Sequence, residues 1–134
     1  MSCWTGSEKF TGRRVLVVED EIFVAMLVEG LLQDLGCDVV GPVSNVADAL
    51  ALVRKERLDA AVLDVNLGSE RVFPVADSLT VSSVPFVFVT GYDRTALTET
   101  YVNHPMIQKP FEPMGFGEAL ADQLAKAAGC SPAA

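Results

Sequence analysis

The sequence predicts a single doubly wound α/β domain, a parallel sheet covered by helices on both faces. Short β-rich apolar runs alternate with helical patterns along nearly the whole chain. Three of the runs, RVLVVED (Arg14 to Asp20), DAAVLDV and FVFVTG, are continuously apolar, as strands buried on both faces must be. Five β-α units follow one another without repeats or linkers, and 134 residues suit one domain with a substantial core.

Each element has a local reason. Strand one, Arg14 to Asp20, leads into a helix over Ile22 to Leu35 that Gly36 stops. CDVVGPV holds the second strand, ended by Gly41 and Pro42, and Ser44 is the expected N-cap of a helix reaching about Arg57 with Val46, Leu50 and Val53 on one face. After the third strand, DAAVLDV, a short helix starts at Pro74, where the missing N–H does no harm. Pro85 precedes the fourth strand, and Asp93 is the expected cap of a short fourth helix through about Tyr101. MIQK is a brief fifth strand, and Pro113 opens a last helix that buries Phe116, Leu120 and Leu124. The domain is expected over 13–128, with 1–12 and 129–134 as loose terminal segments.

Composition excludes several functions. A formal charge of -8 and the lack of a basic stripe argue against nucleic acid, whose phosphates draw on clustered Lys and Arg. The longest apolar run, Ile22 to Val28, is too short to span a bilayer, and MSCWTGSEKFTGRR lacks the apolar centre of a signal peptide, so a cytoplasmic protein without membrane contact is expected. Cys3, Cys37 and Cys130 form no CxxC pair and read as free thiols.

The chemistry belongs at one edge. In open parallel sheets ligands bind beyond the carboxyl ends of the strands, where strand order reverses. Glu19, Asp20, Asp64, Thr90 and Lys109 all stand at such ends. Singly, each reads as a turn former, cap or edge residue; together they bring three acids, a hydroxyl and an ammonium to one place. Clustered carboxylates persist when a hard divalent cation takes their charge, and Mg²⁺ favours carboxylate oxygens and water. A cation site beside a lysine suits phosphoryl transfer, and an ionised carboxylate can be the nucleophile without a general base. Asp64 is the candidate, at the end of the central apolar strand.

VLVVEDE, VLDVNL, FVTGY and QKPF, in this order and spacing, resemble the receiver domain of two-component response regulators over about Arg13 to Ala128. The resemblance implies a flavodoxin-like (βα)5 fold with strand order 2-1-3-4-5, and phosphorylation of one aspartate by a histidine-phosphorylated sensor kinase or phosphotransferase. It implies Asp64 as phosphoacceptor, Asp20 as a direct Mg²⁺ ligand, Glu19 as a ligand through metal-bound water and Asn66 as a ligand through its backbone carbonyl. It further implies Thr90 as the hydroxyl that moves to the phosphoryl group, Lys109 as its ammonium partner, and a cis Lys109-Pro110 bond. Most receivers carry an aromatic ring or His three residues before that lysine, whereas Met106 stands here. PVADSL followed by PFVFVTGY looks like a receiver subgroup with a Phe-Ala-Thr-Gly-Tyr-like motif, often found as stand-alone domains in bacterial stress signalling, with Val89 in place of the Ala. The switch is therefore expected in the loop 91–94, with Tyr92 moving.

The first helix points to partners. Val24, Leu27, Val28, Leu31 and Leu35 form its core face, Glu29 and Gln33 its outside, and Ile22, Phe23 and Met26 an apolar strip near Asp20 suited to docking a partner helix. His104 is expected to be solvated, since no second ligand has metal-binding spacing. Glu21 is expected to favour the helix start through its dipole. Whether Trp4 and Phe10 fold onto the domain, and whether the chain forms a homodimer, stays open.

The leading expectation is a stand-alone, single-domain receiver of a phosphorelay that catalyses only its own phosphorylation and dephosphorylation. Only GCSPAA follows the last helix, so its signal is expected to leave through protein contacts. The alternative is a receiver-like binding module that no longer accepts phosphate; the presence of Asp64, Asp20, Thr90 and Lys109 argues against it. A phosphoaspartate hydrolase or flavin carrier on the same fold is disfavoured by the lack of a cap domain and of a Ser/Thr/Gly-rich loop after strand one.

Overall fold

The computed structural model describes residues 10–91, 97–108 and 113–129. In chain order these form β1 (Arg14–Val18), α1 (Ile22–Asp34), β2 (Asp38–Val43), α2 (Val46–Lys55), β3 (Ala60–Asp64), β4 (Asn66–Leu67), β5 (Glu70–Arg71), α3 (Phe73–Val81), β6 (Phe86–Thr90), a 3₁₀ turn (Glu99–Tyr101), β7 (Met106–Gln108) and α4 (Pro113–Ala127). The five long-range strands pair in parallel in the order β2-β1-β3-β6-β7. This is the flavodoxin-like order 2-1-3-4-5, with its reversal between β1 and β3.

The continuous apolar strands supply two cores. Val15, Val17, Val62, Val87, Val89 and Ile107 point to one face, under Val28 and Leu32 of α1 and Leu120 and Leu124 of α4. Leu16, Val18, Ala61, Leu63, Phe86 and Phe88 point to the other, under Ala49 of α2 and Val75, Ala76 and Leu79 of α3. Full burial of each Leu or Val stabilises the fold by roughly 1.5–3 kcal/mol, so the sheet's centre is a rigid base for what its ends carry. The folded body reaches back to Phe10, which is buried, and Gly12 donates its N–H to the Gly36 carbonyl.

Several local expectations are corrected. The cap of α2 is Asn45, not Ser44: its extended backbone lets the side-chain oxygen accept from the Asp48 N–H at 2.8 Å. That helix stops at Lys55. β2 does not end at Gly41 and Pro42 but bulges through them to Val43, with a cis Gly41-Pro42 bond. Gly41 has φ +95°, and a Cβ there would meet Val43 N at 2.9 Å and the Val17 carbonyl at 3.1 Å. On α1 the deepest residues are Ala25, Val28 and Leu32, with Val24, Leu27, Leu31 and Leu35 half-buried around them.

The segment before β7 departs most. The expected cap Asp93 lies outside the described residues, and the end of the expected fourth helix is a 3₁₀ turn. Tyr101 is drawn into the core against Phe86 and Phe88, and its hydroxyl donates to Asp77 of α3 at 2.7 Å. His104 is only half-exposed: its ring stacks on Phe86 at 4.2 Å, and Nε2 bonds the Phe86 carbonyl at 2.7 Å. The β4-β5 hairpin, directly after β3, had no signal in the apolar pattern. Lys109, Pro110, Tyr92, Trp4, Cys3, Cys130 and the side chain of Phe116 lie outside the described residues.

Candidate functional site

The strand-order reversal separates the loop after β1 from the loop after β3, and both open toward the same edge. β1 delivers Glu19 and Asp20, and β3 ends on Asp64. One carboxylate oxygen from each of Glu19, Asp20, Glu21 and Asp64 falls within 4.8 Å of the other three. Glu19 and Asp64 are buried, whereas Asp20 and Glu21 are exposed. The cluster therefore has a fixed inner half and a solvent-facing outer half.

Backbone bonds fix the inner half. The Glu19 N–H donates to the Val43 carbonyl at 2.9 Å, tying the end of β1 to β2, and Glu19 Oε2 accepts from the Glu21 N–H at 3.1 Å. Asp64 pairs with Val89 of β6, and the next N–H, that of Val65, donates to the Val89 carbonyl. Thr90, fully buried, is the residue after Asp64's partner and is itself paired with Gln108 of β7. The structure thus places Glu19, Asp20, Asp64 and Thr90 at one sheet edge.

Glu21 is the acid whose place the sequence pattern did not reveal. It occupies the N-cap position of α1 but makes no side-chain capping bond, and its carboxylate joins the cluster instead. The EDE run was its only signal. Asn66 opens β4, two residues past Asp64, and Gly68 at the hairpin tip faces Asp20: a Cβ there would lie 3.9 Å from Asp20 Oδ2.

Two unit charges at this spacing repel by about 3 kcal/mol at an effective dielectric of about 20. The donor set is of a kind that could hold a hard cation, which would offset this repulsion. All four donors are carboxylate oxygens, the ligand type that Mg²⁺ favours. Beside the cluster a cavity of about 530 Å³ is lined by Glu19, Asp20, Ile22, Met26, Pro42 and Asp48. Ile22, Phe23 and Met26 are 68%, 83% and 60% exposed, so the apolar strip expected on α1 is a solvent-facing surface at the rim. Met106 pairs with Phe88 and packs, half-buried, against the α3-side core.

A family model described as the response regulator receiver domain matches residues 15–121. The chain is a response regulator receiver domain. The receiver is similar to SdrG from Sphingomonas melonis Fr1, with 40% identity and a TM-score of 0.72 over 90% of this chain and 99% of that one. SdrG has also been solved in a BeF3-activated conformation, from Pseudomonas melonis Fr1, at 42% identity and a TM-score of 0.70 over 92% of this chain and 99% of that one. The phyllosphere-induced regulator PhyR of Methylorubrum extorquens is 31% identical over 114 residues, 82% of this chain but 43% of that protein. The receiver spans less than half the length of the curated relatives it matches.

Proposed function

We propose that this receiver accepts a phosphoryl group on Asp64 from a histidine-phosphorylated sensor kinase or phosphotransferase, in an Mg²⁺-dependent reaction, and signals by protein contacts. The observation that carries the reading is the convergence of Asp64 with Glu19 and Asp20 at the sheet's reversal point, their oxygens within 4.8 Å. The BeF3-activated conformation of the similar SdrG supports it.

In this reading a carboxylate oxygen of Asp64 attacks phosphorus and forms an acyl phosphate. The bond from phosphorus to the donor imidazole nitrogen breaks, its electron pair stays on nitrogen, and the nitrogen takes up a proton. The apolar β3 holds the nucleophile in place, so little orientation entropy is lost on reaction. Glu19, Asp20 and Asp64 would hold Mg²⁺ with the Asn66 carbonyl, and the bound ion would neutralise charge on the transferring oxygens. Thr90 donates its hydroxyl to a phosphoryl oxygen and Lys109 offers its ammonium to the same group. The strip Ile22, Phe23 and Met26 receives the donor protein's helix.

Within a folded body that reaches back to Phe10, the receiver domain is assigned to 13–128 and the protein to the cytoplasm; among the described residues no helix is long and apolar enough to cross a membrane. With Met106 at the usual ring position, the switch is assigned to the 91–94 loop and Tyr92. Tyr92→Ala should then change partner affinity or phosphoryl lifetime, and no change in either would remove Tyr92 from the switch. The acceptor role is tested by incubation with Mg²⁺ and acetyl phosphate, followed by intact mass. An acid-stable, base-labile adduct that Asp64→Asn abolishes supports it, and the absence of any adduct overturns it.

A further inference from the structure

We infer that Glu70 is a positioning residue for the cation site: it pins the β4-β5 hairpin to α2 and so fixes the hairpin's backbone over Asp20. The inference rests on the proposed Mg²⁺-dependent reading of the same site.

The hairpin departs from β3 with one residue, Val65, between Asp64 and Asn66. It is two residues long on each side, pairing Asn66 with Arg71 and Leu67 with Glu70. A ladder this short is marginal by itself, so its position is set by what its ends touch. On the inner side the anchors are strong. Val65, Leu67 and Val72 are buried in the α3-side core, and the Val72 N–H closes on the Val65 carbonyl at 3.0 Å.

The outer side is different. Gly68, Ser69, Glu70 and Arg71 are exposed, and the side chains of Arg71 and Glu70 tether this side. Arg71 lies over the Phe73 ring, 5.4 Å from its centroid, which ties it to the start of α3. Glu70 Oε1 accepts from the Val46 N–H at 3.3 Å, across to the first residue of α2. That N–H has no intrahelical partner, and the first-turn backbone favours an anionic acceptor. Asn45 satisfies the Asp48 N–H instead, so the two acceptors divide the helix start between them. Glu70 is therefore the hairpin's reach to a different part of the sheet edge, the loop between β2 and α2.

This matters because the hairpin tip is a wall of the acid cluster. Gly68, two residues before Glu70, has φ +65° and stands over Asp20 Oδ2. Asn66 lies on the paired strand. If the tip is free to swing, the distance between that backbone and Asp20 is no longer fixed, and a cation held by both would lose affinity. Glu70 touches neither the cation nor the reacting atoms; it acts through the hairpin.

The test is Mg²⁺ titration of the full chain by calorimetry, with no phosphodonor, for wild type, Glu70→Ala and Glu70→Gln, alongside thermal unfolding in chelator. Glu70→Ala should weaken Mg²⁺ binding by about two- to fivefold, the range expected for one charged contact at a helix start. Glu70→Gln keeps an oxygen acceptor and should recover part of that loss. Equal Mg²⁺ affinity in wild type and Glu70→Ala overturns the inference while leaving the site reading intact. A loss matched by Glu70→Gln, or one that only tracks a fall in thermal stability, also overturns it. A wild-type chain that binds no Mg²⁺ overturns the underlying reading instead.

Discussion

Asp64 ends β3 and Asp20 lies just past the end of the adjacent strand β1, more than forty residues earlier in sequence, and their carboxylates share a cluster whose oxygens lie within 4.8 Å. Such a pair is repulsive when empty and cohesive when a divalent ion lies between its members.

Neutralising one member should stabilise the metal-free fold. Asp64→Asn removes a buried charge and its repulsion from Glu19 and Asp20, and the gain should be about 1 kcal/mol after solvent screening. Urea unfolding in chelator is expected to show a higher midpoint for the variant, together with at least tenfold weaker Mg²⁺ binding. A variant less stable than wild type in chelator would show that hydrogen bonding by the Asp64 carboxylate outweighs the repulsion.

Mg²⁺ should raise thermal stability, because it binds the folded cluster and not the separated acids of the unfolded chain. At a hundredfold excess over its dissociation constant the linkage is about 2.7 kcal/mol, and chelator should reverse it. Scanning calorimetry with increasing Mg²⁺ measures this, and an unmoved transition would argue against a cation at these acids.

The apolar strip is predicted to serve the donor protein and not the chemistry. Phe23 is 83% exposed, so Phe23→Ser should change stability by no more than about 0.5 kcal/mol. Transfer from a histidine-phosphorylated donor should slow about tenfold, as for loss of an interface anchor, while phosphorylation by acetyl phosphate stays at the wild-type rate. Equal slowing with both donors would move Phe23 into the reaction itself.

Gly41 offers a stability test away from the acids. An added Cβ would press on the backbone at Val43 and Val17, where nothing can turn aside, and φ +95° is costly for any L side chain. Gly41→Ala should cost about 3 kcal/mol or more by urea unfolding, at the level of a strained backbone position plus overpacking.

Alkaline pH should weaken the fold through Cys37. Burial, with Asp38 next in effect, pushes its thiol up to about 11 from an ordinary 9.0. The unfolded chain then releases its proton first, so the stabilisation is complete below about pH 9 and is lost as pH rises through about 11. Burial also raises the Tyr101 phenol, whose contribution is likewise present below its unfolded pKa and lost above the folded one. Cys37→Ala should flatten the decline between pH 9 and 11, measured by urea midpoints across that range.

Much of the fold was legible in the sequence where one physical signal dominated. β1, β3 and β6 are unbroken apolar runs because both faces are covered, and that pattern alone placed Asp64 and Thr90 at strand ends; β1 stops at Val18, two residues short of the expected Asp20. The strip Ile22, Phe23 and Met26 was legible because α1 has a polar and an apolar reference on its wheel. Features that were not legible depend on contacts distant in sequence. The hairpin after Asp64 is held by buried Leu67 and Val72 and by Glu70 reaching α2, none of which leaves a local pattern. His104 looks like a loop residue until Phe86, eighteen positions earlier, supplies both a ring and a carbonyl. Ser44 and Asn45 are near-equal caps by type, and only backbone direction chose between them.

The role of Asp64 as phosphoacceptor can be read at residue level by borohydride reduction, which converts an aspartyl phosphate to homoserine at the modified position. After treatment with Mg²⁺ and acetyl phosphate, then borohydride, peptide sequencing should find homoserine at position 64 and nowhere else, and none when Mg²⁺ is withheld. Homoserine at another acid, or at no position despite Mg²⁺ and phosphodonor, would rule Asp64 out as the acceptor.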